Sequence, residues 1–114
     1  MSDQTEINIF KALDFIRDNS SAFAKAKAER IYLEEFRKTK KSILMRLAEV
    51  EGAKSSATQE RDAYAHPEYI ELLNALKAAV EEEERLRWMI VAAQAKVEVW
   101  RSLGANQRAQ DRVL

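Results

Sequence analysis

The sequence predicts an all-α fold. It reads as a long, coiled-coil-like antiparallel helical hairpin with a short N-terminal helix, dimerising into a helical bundle. Three observations lead there. The composition is 33% charged and 46% hydrophobic, with two Gly and one Pro in 114 residues, which belongs to long helices rather than to sheets or disorder. The second half carries two interleaved seven-residue series, Tyr69, Leu76, Glu83, Ile90, Val97 and Leu72, Ala79, Leu86, Ala93, Trp100, apolar at every position but Glu83. That is the a/d pattern of a helix with a seam made for another helix. The first half answers with a series of its own: Leu33, Phe36, Lys40, Ile43, Leu47 and Val50.

The elements follow in order as parts of one domain spanning residues 1–114. Ile9, Leu13 and Ile16 recur at helical spacing, with Phe10 and Phe15 beside them, and predict a short amphipathic helix over about residues 6–18. Asp18-Asn19-Ser20-Ser21 prefer caps and turns, because their side chains compete for backbone hydrogen bonds. A break is expected there. A long helix then runs over residues 21–51 to Gly52, where a helix can end in a left-handed residue. Residues 52–66 are the connection, with Ser56 and Gln59 at capping-box spacing and a helical turn or two before His66. Pro67 suits the first position of the last helix, and Glu68 suits the positive end of its dipole. That helix spans residues 67–103, roughly 55 Å at about 1.5 Å per residue, and residues 104–114 form a frayed tail.

A connection this short makes the two long helices antiparallel. With Val50 near Pro67, Lys40 would fall beside Lys77 and close to Glu81–Glu84, so that Lys40 and Glu83 are linked ionic intruders that fix register. One seam does not use up the apolar residues. Trp88, Met89, Val91, Val99, Leu73 and Val80 lie off it, and they are the candidate interface. Such a stripe marks an association surface, here for a second copy of the chain or for another protein.

Formal net charge is zero, but unevenly placed. Residues 25–48 hold eight basic and three acidic groups, residues 49–84 three and ten, and residues 85–114 six and two. This alternation suits an antiparallel hairpin and lacks the overall excess of a dedicated nucleic-acid binder. The candidate anion contacts are Arg37, Lys38, Lys41 and Arg46, extended by Arg101 and Arg108; the alternative reading is an exposed helix face opposite the acidic middle of the chain. Cysteine is absent and His66 is the one histidine, so neither a thiolate nor a histidine-rich metal site can be assembled, and no triad or phosphate loop is present. Glu81–Glu84 point in different directions around a helix and read as a solvated, ion-paired face. No catalytic, cofactor-binding or metal-ligating residues are expected. The start of the chain has no signal-peptide pattern and the longest apolar run, Trp88–Ala93, is too short for a bilayer, so a cytoplasmic protein is expected.

Tyr64-Ala65-His66-Pro67-Glu68-Tyr69, Ala79-Val80-Glu81-Glu82-Glu83-Glu84-Arg85-Leu86-Arg87-Trp88, Ala92-Ala93-Gln94-Ala95 and Val97-Glu98-Val99-Trp100-Arg101-Ser102 together resemble small helical proteins of bacteriophages and prophages encoded near recombination and replication genes. The resemblance spans Asp18 to about Arg112. It implies an accessory role around DNA processing and assigns no functional residue. The expectation is a non-enzymatic helical protein that works by self-association and protein contacts. The alternative is a direct nucleic-acid binder using residues 37–46 and the C-terminal arginines.

Overall fold

The computed structural model describes residues 7–113. They form three α-helices with no strand among them: α1 (Ile9–Val50), α2 (Ser56–Ala65) and α3 (Pro67–Val113). The all-α class is as expected. Two compact units divide the chain, and each draws on both long helices. One is Lys25–Glu83; the other comprises the described residues of Met1–Ala24 and Glu84–Leu114. Within each unit a stretch of α1 packs on a stretch of α3.

The separate N-terminal helix is not found. α1 opens at an Asn8 cap, whose side chain accepts from the Lys11 N–H at 3.0 Å, and runs unbroken past Asp18–Ser21. The expected start at Glu6 lies outside the described residues. The turn formers are absorbed because their side chains bond back along the helix: Asn19 Nδ2 donates to the Phe15 carbonyl and Ser20 Oγ to the Ile16 carbonyl. A side chain satisfied one turn back no longer competes for the backbone. At the other end, α3 continues through Gly104 to Val113 instead of fraying after Leu103.

α1 ends as its sequence indicates. Gly52 takes φ +116°, its N–H donates to Glu49, and the Ala53 N–H donates to Ala48. These are the two bonds of a Schellman end, which favours glycine at the turned residue. The capping box of α2 sits one residue earlier than the spacing suggests. Ser55 is the cap: its hydroxyl accepts from the Thr58 N–H at 3.1 Å, and the Thr58 hydroxyl accepts from the Ser55 N–H at 3.3 Å. Gln59 reaches instead to the Ala53 carbonyl. His66 is extended, the conformation required before proline, so α2 and α3 are separated by a true break.

In the Lys25–Glu83 unit the core is Leu44, Ala63 and Tyr69, with Met45 packed against it. α2 is therefore part of the returning arm, and this overturns the expected register. The return starts at Ser56 rather than Pro67, so α3 meets α1 farther from the turn. Lys40 pairs with Glu68 at 3.6 Å rather than lying beside Lys77. The seam of α1 changes with it. Leu33, Phe36 and Lys40 face inward as expected, but Leu44 and Ala48 follow them, while Ile43, Leu47 and Val50 stay exposed, Val50 by 78%. Both stripes are apolar, and the face covered by α2 and Tyr69 is the one that becomes core.

The seam of α3 is as read. Tyr69, Glu83, Leu86 and Ala93 are buried and Leu72, Leu76, Ala79, Ile90 and Val97 are half-buried. Trp100 alone departs, at 48% exposure.

Candidate functional site

Three groups of side chains stand out once the seam is filled. The first is polar and buried. Glu83 is 1% exposed, and a lone carboxylate at that depth would cost several kcal/mol. Its partner is Arg30, not Lys40. Arg30 Nε donates to Glu83 Oε2, Nη2 to Oε1 at 3.1 Å, and Nη1 to Glu34 at 3.0 Å. Two parallel bonds from a planar guanidinium fix geometry in a way that an ammonium cannot. Glu83, then Glu34, hold the Arg30 guanidinium charged well above its ordinary range. Nothing in the spacing singles out Arg30, because it lies upstream of the Leu33–Val50 series. Its place across from Glu83 appears only with the observed register.

The second group is the basic stretch. Arg37, Lys38 and Lys41 line one groove between α1 and the returning arm, together with Ser42, Met45, Tyr64 and Tyr69. Arg46 lines an adjoining groove that shares Ser42 and Met45. The cations are partly spoken for. Lys38 pairs with Glu35 at 3.5 Å, and Lys41 pairs with Glu60 at 3.6 Å and lies 4.8 Å from the Tyr64 ring centre. The Tyr64 hydroxyl, more than Glu60, holds the Lys41 ammonium above the ordinary lysine range. Tyr64 in turn meets Tyr69 edge-on at 5.2 Å. Arg101, paired with Glu98 at 3.4 Å, and Arg108 belong to the other unit.

The third group is the apolar set. Trp88, Met89, Val91, Val99, Leu73 and Val80 are all exposed. At about 100° per residue, they divide around α3. Trp88 and Val99 lie roughly opposite the seam residues Leu86, Ile90 and Val97, with Met89 to one side, while Leu73, Val80 and Val91 lie to the other. Trp88 is 64% exposed yet held in place. Its indole N–H donates to Glu84 Oε2 at 3.1 Å, Glu84 Oε1 accepts from Arg87 Nε at 3.1 Å, and the Arg87 guanidinium lies 5.5 Å from the Phe23 ring centre. A large amphipathic ring tethered by a hydrogen bond has less rotamer freedom to lose on docking.

His66 accepts from the Glu68 N–H at 3.1 Å through Nδ1, a cap for the start of α3. Among the described residues there is no cluster of three or more acidic, histidine or cysteine side chains able to hold a metal. No described helix is long and apolar enough to cross a membrane. Comparison with family models, with curated proteins and with solved structures gives no match.

Proposed function

We propose that this chain is a non-enzymatic helical protein that acts by self-association and protein contacts. The observation that carries this is the surplus of exposed apolar side chains on α3 after its seam is filled, above all the pinned and exposed Trp88. Monomeric soluble proteins rarely keep such stripes without a use, and tryptophan is favoured at the energetic centre of interfaces. The accessory role in DNA recombination or replication rests on the phage-type resemblance alone; a cytoplasmic setting is proposed beside it. Sedimentation equilibrium of the full chain tests the reading: a species heavier than 13.1 kDa is expected. A mass that stays at that value over the accessible concentration range would contradict it.

A second reading has one observation in its favour. The α1 groove brings Arg37, Lys38 and Lys41 beside Tyr64, and cations interleaved with an aromatic ring suit a single-stranded nucleic acid. Against it, Glu35 and Glu60 already engage two of the cations. A mobility shift at low salt that is lost in K38E/K41E would establish this reading, and no shift with single- or double-stranded DNA would remove it.

A further inference from the structure

Building on the self-association reading, we infer that the partner of the Trp88 stripe is α3 of a second copy, packed antiparallel across a two-fold axis. Trp88, Ala92, Ala95 and Val99 are spaced four, three and four residues apart, the a/d spacing of a second coiled-coil seam. All four are exposed. They run along the side of α3 roughly opposite Leu86, Ile90, Ala93 and Val97, which face inward. One helix thus carries two seams, of which the chain fills one.

Self-pairing follows from the order of sizes. The stripe reads bulky, small, small, medium, so that reversing it sets the bulky end against the smaller one. A two-fold interface requires such self-complementarity, because the same patch must fit itself. With the axis between Ala92 and Ala95, Trp88 of each copy meets Val99 of the other and the alanines meet at the centre, where small side chains let two backbones approach. The charges agree with this direction. In a parallel pair Glu81 and Arg85 would each face their own copies, and like charges at that range are destabilising. In the antiparallel pair Arg85 faces Ser102 and Glu81 faces Asn106.

The area reaches the range of a specific interface. From their exposures, Trp88, Met89, Ala92, Ala95, Val99 and Leu103 offer on the order of 500 Å² of side-chain surface per copy, about 1,000 Å² in a pair.

The chain has no cysteine, so disulfide trapping reads the alignment directly. R85C and S102C place thiols at positions that face each other only in the antiparallel pair. An equimolar mixture of the two variants under mild oxidation should give a mixed disulfide dimer several-fold in excess over either variant alone. S102C linking to itself as readily as to R85C would mean parallel packing and would overturn the inference. Sedimentation of the unmodified chain separates the two levels. A dimer without the mixed disulfide would overturn the α3 pairing while leaving self-association standing, and a monomer would overturn both. Circular dichroism matching the unmodified chain confirms that the cysteine variants are folded when they are oxidised.

Discussion

The two compact units are made from the same two long helices and solve the burial problem differently. Lys25–Glu83 has a third element, α2, and closes Leu44, Ala63 and Tyr69 into a core, with the Arg30–Glu83 pair farther along. In the other unit the buried side chains are Ala12, Leu86 and Ala93, two of them alanines, while Phe10, Trp88 and Leu103 are more than half exposed. Two helices offer each other one face apiece, so whatever apolar surface lies beyond that face stays in water. A third helix adds a second covered face. The difference shows where apolar surface is covered within the chain and where it stays exposed.

Several substitutions would break or sharpen that contrast, the largest effect first. Leu44→Ala empties the centre of the three-helix core and should cost about 3 kcal/mol in urea unfolding. If the cost were below about 1 kcal/mol, the core of that unit would be elsewhere. Glu83→Ala leaves Arg30 without its buried partner and should cost about 2 kcal/mol, discounted because Arg30 keeps some contact with water. The double variant with both residues changed to leucine should recover most of that loss, since an apolar pair can replace a buried ion pair. If the two single changes were simply additive, the pair would not be coupled.

On the exposed side, Trp88→Glu should weaken self-association about 30-fold or more by sedimentation, the scale of an interface hot spot, with little change in helix content. An unchanged association constant would remove Trp88 from the interface. Ser55→Ala loses the α2 cap and should cost about 1 kcal/mol. Ser20→Ala should change stability by no more than about 0.5 kcal/mol, because its hydroxyl bonds back within its own helical turn and holds nothing beyond it. A larger loss would mean that the hydroxyl does more than complete its own turn.

Much of this was legible in the residues. The α3 seam from Tyr69 to Val97 follows the heptads, and the exposure of Trp88 and Val99 follows from their being off that seam. Periodicity carries that information because it states which side chains share a face. What it does not state is which of two apolar faces wins. On α1 both the Ile43, Leu47, Val50 stripe and the Leu44, Ala48 stripe qualify, and α2 decides between them. The helix through Asp18–Ser21 was hidden for a related reason: a side chain that can bond its own backbone can do so in a turn or back along a helix. Register is not legible in residues 52–66, because α2 forms there and packs on α1 as part of the returning arm. That shift puts Arg30, not Lys40, opposite Glu83.

Sedimentation equilibrium of the unmodified chain and of W88E, at matched concentrations, tests most directly the proposal that a second copy of the chain fills the second seam of α3. The expected result is twice the 13.1 kDa chain mass for the first and a shift toward the single chain for the second. Equal masses for the two would contradict it.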